Sequence, residues 1–347
     1  MIFVDGVQFP CDPSQADGTL ETLLQHPVLV SRSDALKGVE ELSFSDAESS
    51  SAGSSTLKRY VYIFQREYAT VNPALVDFVG TDEATTCLGL AIRNPKSGMT
   101  SVAHMDTPDV VNVGLSQMLS EFDCKSDISL DVHLVGGFND YIPKPLRGVT
   151  MPRSPDKEDG YSVSLCKKII EALGTRQERF QIQTLLVLGH NTKMDSLGFA
   201  RPVFTGFVIE TSTGSLNPAN FDASTRCPDE IVRRIRVTAC YEDPDLHGKL
   251  LETYDTEMDH FVIAPCYWTS RQLKIIMTLW DLPDTEILQR CSTSPSAEAP
   301  DFVDSLRRQW KYLIEHPKWK DSFPHGLPRF FVRNDNGNWD RSLVSVS

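Results

Sequence analysis

The sequence predicts an α+β fold, and three observations carry the prediction. Short β-compatible segments recur between Tyr60 and Ile263. Helical periodicity shows over 110–122, over 161–173 and from Pro300 onward. The two kinds of element do not alternate strictly as strand, helix, strand, as a parallel α/β sheet would require. A chain of 347 residues, 40% hydrophobic and 23% charged, has ample material for a core and the balance of a soluble globular protein. Residues 1–347 are expected to form a single domain, interrupted by a Ser-rich insertion at 31–58 and a surface loop at 141–160.

The segment 31–58 (SRSDALKGVEELSFSDAESSSAGSSTLK) is acidic and loses complexity towards its end, and it reads as a mobile surface insertion with no role in chemistry. From Arg59 the pattern turns to strands: Tyr60–Phe64, Leu75–Val79, Ala84–Ile92 and Met99–His104. Val111, Leu115, Met118, Leu119 and Phe122 fall at helical spacing and predict a helix over 110–122. Asp131–Val135 is a strand that Gly136-Gly137 should stop. Residues 141–160, rich in Pro and charge, form a loop. A helix at 161–173 follows, then strands at Gln181–Leu188, Val203–Glu210, Val232–Ala239, Gly248–Tyr254 and Phe261–Ile263. Pro300 suits the first turn of a helix on which Val303, Leu306, Trp310, Leu313 and Ile314 share a face. Asn336-Gly337 marks a closing hairpin.

A formal charge of −13 argues against nucleic acid as a partner, since phosphate backbones are held by clustered Lys and Arg. No apolar run approaches a membrane span, and Met1-Ile-Phe-Val-Asp5 lacks the basic flank and apolar stretch of a signal peptide. The eight cysteines are scattered, without CxxC or another tight pair, so neither a disulfide framework nor a metal site is expected. They read as reduced thiols of a cytosolic or nuclear protein. There is no GxGxxG, P-loop, GxSxG or HExxH, and no cofactor is expected. A papain-like protease is disfavoured because its local cysteine signature is missing.

One pair of residues points to chemistry. Cys87 and His104 flank the turn Asn94-Pro-Lys-Ser-Gly98 at nearly mirrored positions. A two-residue loop at Pro95-Lys96 pairs Cys87 with His104. A four-residue loop at Pro95–Gly98 pairs Cys87 with Asp106 and leaves His104 diagonal on the same face. Opposed Cβ atoms lie about 4.5–5.5 Å apart and diagonal ones roughly 7–8 Å, so a thiol and an imidazole can meet in either register. An odd loop length would put them on opposite faces. The competing reading is a buried cysteine packing as a small hydrophobe beside a structural histidine.

Three stretches then read together: Gly80-Thr-Asp-Glu-Ala-Thr-Thr-Cys87, Asp131-Val-His-Leu-Val-Gly-Gly-Phe138 and Ser292-Thr-Ser-Pro-Ser-Ala-Glu-Ala-Pro300. With Tyr254-Asp255 and Ile263-Ala-Pro-Cys-Tyr-Trp268, they closely resemble the protein N-terminal asparagine amidohydrolase family. The likeness is strongest over 59–140, recurs over 250–315 and weakens between. The Ser-rich insertion and the 141–160 loop depart from it, as in a plant-type or otherwise elongated member.

The resemblance implies removal of ammonia from an asparagine side chain at a free protein N-terminus, leaving aspartate. It implies proteins or peptides with such a terminus as substrates, and arginyl-transferase, which extends the product in the N-degron pathway of ubiquitin-dependent degradation, as a downstream partner. The nucleophile it carries over is Cys87. The Cys–His hairpin also resembles that of bacterial chemoreceptor and toxin deamidases. That likeness implies a layered α/β/β arrangement of two sheets with flanking helices, and it maps the base onto His104.

The chemistry needs further groups. A thiolate must form near neutral pH, which a paired histidine allows. The Cys87 N–H, with the Thr85 or Thr86 hydroxyl, is the candidate oxyanion hole. Asp106, two residues past His104, should orient the imidazole, or Thr81 by the likeness to the deamidases, although either could be a turn or capping residue. His133, in the VHLVGG strand, reads as a hydrogen-bonded core residue. A cationic α-amine calls for an acidic group, and among 47 acidic residues Asp82, Glu83, Asp255 and Glu298 lie in family-like motifs. Two alternatives stand: a cysteine deamidase of internal Gln or Asn, and a non-catalytic adaptor that binds N-terminal residues.

Overall fold

The structure, a computed structural model, describes residues 1–10, 16–45, 59–122, 128–140 and 160–342. Most of the 141–160 loop, and 46–58 of the Ser-rich segment, lie outside the described residues. The chain opens with β1 (Ile2–Val4), β2 (Val7–Gln8), α1 (Ala16–Leu24), α2 (Pro27–Lys37) and β3 (Leu42–Phe44). Next come β4 (Tyr60–Tyr62), β5 (Glu67–Val71), β6 (Phe78–Thr81), β7 (Leu88–Arg93), β8 (Thr100–Met105), α3 (Val111–Leu119) and β9 (Ser129–Phe138). The middle holds α4 (Tyr161–Thr175), β10 (Arg179–Leu188), β11 (Thr192–Met194), β12 (Ala200–Pro202), β13 (Phe207–Glu210), β14 (Leu216–Phe221) and α5 (Glu230–Cys240). The last part comprises β15 (Leu251–Glu252), β16 (Tyr254–Asp255), β17 (His260–Ile263), α6 (Ser270–Leu279), α7 (Asp284–Cys291), α8 (Phe302–Glu315), α9 (Trp319–Ser322), β18 (Arg329–Arg333) and β19 (Trp339–Ser342).

An eight-stranded mixed sheet, ordered β15-β5-β8-β7-β9-β10-β1-β2, forms the centre, and a five-stranded sheet, β3-β14-β13-β6-β4, is the second large element. The α+β class is the one observed. Alternation along the central strands assigns their two faces. Leu88, Leu90 and Ile92 of β7, with Ala103 and Met105 of β8, pack against Leu115 and Met118 of α3 and Leu165 and Ile169 of α4. Ala91 and Val102 face the other way, into a core shared with Val79, Phe207 and Ile209 of the second sheet and with Val232 and Ile235 of α5. Helices α3 and α4 thus cover one face, and the second sheet together with α5 covers the other. At Gly89 the sheets approach so closely that a Cβ would lie 2.3 Å from the Phe207 ring.

The four-residue loop is the one adopted. Gly89 pairs with His104 and Arg93 with Thr100, and Asn94 N donates to Met99 O at 2.9 Å. The Asn94 side chain caps Lys96 N at 2.9 Å, and Gly98 supplies the positive φ of 75° that closes the turn. His104 therefore shares the face of Gly89, towards the second sheet.

Several expectations are corrected. Residues 31–37 belong to α2, with Pro27 in its first turn and Lys37 in its last, and 42–44 form β3 beside β14, so the first part of the Ser-rich segment is ordered structure. The strand predicted from Ala84 starts at Leu88, because 82–87 leave the sheet. The strand predicted at 75–79 lies at 78–81. Val232–Ala239, read as a strand, is the body of α5. Gly136-Gly137 does not stop β9, which runs on to Phe138 with φ of 114° and 54° at the two glycines. A Cβ on Gly136 would sit 2.8 Å from Cys87 O, so the glycine lets the Cys87 segment cross the strand.

Candidate active site

Thr81 ends β6, and the following segment, 82–87, carries Cys87 to the start of β7 at the seam between the sheets. There Cys87 and His104 wall one cavity of about 410 Å³. Helix α5 contributes Arg234, its C-cap Tyr241 lies on the same wall, the α7–α8 connection contributes Ser292 and Glu298, and α8 contributes Phe302 and Ser305.

His104 is buried, 2% exposed. Its Nδ1 lies 2.8 Å from Thr81 Oγ1, and its Nε2 is buried with no hydrogen-bond partner among the described residues. Burial pulls the imidazole down to about 4, against the pull of Asp106, Glu83 and Glu67. The Cys87 thiol is pushed well above its usual range by burial and by the carboxylates of Asp106 and Glu298, with a Thr86 hydrogen bond opposing. Both groups are therefore neutral near pH 7.

The other residues singled out by sequence fall into distinct places. Asp106 stands opposite Cys87 in the extended hairpin register, but its carboxylate is 3.5 Å from Arg66 Nη1, accepts from Tyr241 Oη and lies 3.4 Å from Gln65 Nε2. Of the two proposed orienting groups, Thr81 is thus the one bonded to the imidazole. The Thr85 hydroxyl accepts from Ser294 Oγ at 3.2 Å, and Thr86 Oγ1 is 3.1 Å from Thr293 Oγ1, which ties the Cys87 segment to the 292–298 connection.

The four acidic candidates separate by partner. Asp82 is saturated by Tyr62 Oη at 2.5 Å, Phe221 N at 2.8 Å and Arg226 Nη2 at 3.1 Å, and burial raises it to about 6. Glu83 is forked by Arg234 at 2.8 and 3.1 Å and paired with Arg226 at 2.7 Å; burial opposes its ionisation, but the two arginines outweigh it and hold it low. Glu298 also walls the cavity and accepts from the Ser292 hydroxyl, with no arginine or lysine among its partners in the described residues. Burial raises its pKa. Asp255 is not brought to the site: its carboxylate caps Glu257 N at 3.0 Å and Met258 N at 2.9 Å in a turn, and it is not part of the cavity wall. His133 is a buried residue bonded to Thr184 Oγ1 at 3.0 Å, away from the cavity.

Arg226, Arg234 and Tyr241 were not foreseen. Their signal was present: Glu230 and Arg234 are four apart, and Val232, Ile235 and Ala239 repeat at helical spacing. The β-branched residues of the segment masked it.

The family model described as protein N-terminal asparagine amidohydrolase matches residues 50–341. A protein N-terminal asparagine amidohydrolase of Arabidopsis thaliana is 53% identical over 350 residues, covering 98% of this chain and 100% of that protein. Those of Mus musculus and Homo sapiens are each 27% identical over 287 residues, 81% of this chain and 83% of theirs. A match over most of the chain, with the cavity described above inside the matched region, shows that the chain belongs to the protein N-terminal asparagine amidohydrolase family.

Proposed function

We propose that this protein hydrolyses the side-chain amide of asparagine at a free protein N-terminus, giving aspartate and ammonia, with Cys87 as nucleophile and His104 as proton carrier. The observation that carries the proposal is the buried, partnerless Nε2 of His104, in the wall it shares with Cys87. An imidazole whose Nδ1–H donates to Thr81 leaves Nε2 as a free base directed by that bond.

With both groups neutral at rest, proton transfer accompanies attack. The Cys87 sulfur bonds to the asparagine Cγ as Nε2 takes the thiol proton, and the carbonyl electron pair moves to oxygen. Asp106 and Glu83 favour the imidazolium that forms. The Cys87 N–H and the Thr85 or Thr86 hydroxyl are the proposed oxyanion donors, each worth about 2.7–4 kcal/mol in such sites. As the carbonyl re-forms, the C–N bond breaks and Nε2 protonates the departing nitrogen. Water then attacks the thioester with Nε2 as base, the C–S bond breaks, and the proton returns to sulfur.

Glu298 is the proposed seat of the substrate α-ammonium. Asp82 and Glu83 are already neutralised by arginines, whereas Glu298 faces the cavity with the Ser292 hydroxyl as its hydrogen-bond partner among the described residues. We read 1–347 as one cytosolic or nuclear amidohydrolase domain, layered as in the cysteine deamidases, with arginyl-transferase acting on its product.

The test compares matched peptides beginning with Asn, Gln and acetyl-Asn, following the +1 Da change and ammonia. Free Asn should be the preferred substrate, with acetyl-Asn at least ~100-fold poorer in kcat/KM, and Cys87→Ser should abolish turnover in a folded protein. Equal conversion of acetyl-Asn would replace the proposal with an internal-amide deamidase. Full biological activity in Cys87→Ala would replace it with an adaptor.

A further inference from the structure

Residue Glu83, between Thr81 and Cys87, adopts a left-handed backbone with φ of 61°, which non-glycine residues rarely hold without support. Thr85 N donates back to Glu83 O at 3.0 Å, closing a tight bend that turns the chain from β6 towards Cys87. The support is a pair of arginines. Arg234 forks both Glu83 oxygens from α5, and Arg226 binds Glu83 at 2.7 Å and Asp82 at 3.1 Å.

We propose that Arg226 and Arg234 are positioning residues, clamping the 82–83 bend so that the Cys87 sulfur is held in line with His104. The inference rests on the proposed reaction for its kinetic consequence, but not for its geometry. On one side of the bend stands the residue bonded to His104, on the other the nucleophile, so a change at Glu83 displaces each against the other. The planar fork matters as well as the charge, because it fixes both carboxylate oxygens and hence the rotation of the bend. Arg234 is tied in turn to Glu230 at 3.0 Å, and Glu230 to Arg308 of α8 at 3.1 Å. The clamp thereby joins the two helices that wall the cavity to the segment bearing the nucleophile.

Arg234→Gln and Arg234→Lys decide the matter, read by two independent measurements on protein checked by thermal melting. Turnover of an Asn-peptide by Arg234→Gln should fall at least ~30-fold in kcat with KM within ~3-fold, and Arg234→Lys should recover only part of it. The rate and pH dependence of Cys87 alkylation by iodoacetamide need no substrate. In Arg234→Gln the alkylation profile should shift from the wild-type curve, with partial return in Arg234→Lys. If Arg234→Gln does not fold, Arg234→Lys alone carries both measurements, and a wild-type kcat and alkylation profile there overturns the clamp. A loss confined to KM overturns it too, marking Arg234 as a substrate contact. Wild-type protein inert towards Asn-peptides would instead sink the proposed reaction, leaving the alkylation profile to judge the clamp by itself.

Discussion

Replacing Glu298 by Gln keeps the shape of the side chain and its contact with the Ser292 hydroxyl, and it deletes one negative charge from the cavity wall. If that charge receives the substrate ammonium, the loss is that of a hydrogen bond to a charged group, about 1.5–3 kcal/mol, or roughly 10- to 150-fold in kcat/KM. The penalty should fall on free Asn peptides and spare acetyl-Asn, so the gap between them narrows by the same factor. A second consequence has the opposite sign. Glu298 is one of the carboxylates that raise the Cys87 thiol, so its neutralisation should let Cys87 ionise more readily and alkylate faster while turnover falls. Burial raises the Glu298 carboxyl itself, so the acid limb of wild-type kcat/KM should lie above the ordinary carboxylate range and vanish in the variant. Mass-spectrometric turnover of the two peptides and iodoacetamide kinetics supply both readings. An equal fall for both peptides, with alkylation unchanged or slower, would refute the assignment.

Thr81→Val removes the hydrogen-bond partner of His104 Nδ1 in a side chain of similar shape, and kcat should fall roughly 10- to 100-fold with Thr81→Ser close to wild type; full activity in the valine variant would remove Thr81 from the proton chain. Stability should fall in mild acid. His104 and His133 are both held near 4 against 6.5 unfolded, so the unfolded chain takes up protons first, and their contribution is intact above 6.5 and lost as pH falls towards 4. The limit is about 3 kcal/mol per histidine. Asp82, raised to about 6, works in the other direction and blunts the loss. Urea midpoints at pH 7.5, 5.5 and 4.5 should therefore decline, less steeply in His133→Gln; a flat or rising series would contradict the burial argument.

Much of the site lies within a single hairpin, and that part was legible because hairpin geometry is local. Turn residues at 94–98 and β-compatible arms confine Cys87, His104 and Asp106 to a few registers, and the four-residue loop is one of them. Thr81 was reachable only through resemblance, since its approach to His104 depends on the packing of β6 against β8. Gly136-Gly137 looked like a stop, because a glycine pair at a strand end and one required by a crossing segment look the same in sequence.

The arginines were hidden for a deeper reason. Local pattern assigns secondary structure, but the state of a charge depends on what tertiary packing brings to it. Glu230–Cys240 carries Ile, Val and Thr, whose χ1 stiffness favours strands, and that local preference is overridden by the burial of Val232 and Ile235 between sheet and helix. Once the segment is a helix, its consecutive arginines part to different faces, and Arg234 is the one that reaches the cavity wall. Arg233 turns inward, 0% exposed, to pair with Glu67 at 2.6 Å, while Arg234 turns to Glu83. Arg234 neutralises Glu83, Arg226 from the segment before α5 neutralises Asp82, Asp255 is spent on its own turn, and Glu298 is left as the proposed seat of a cation. For Asp82 and Glu83 the outcome is therefore decided by arginines far from them in sequence, which no local pattern around the two acids contains.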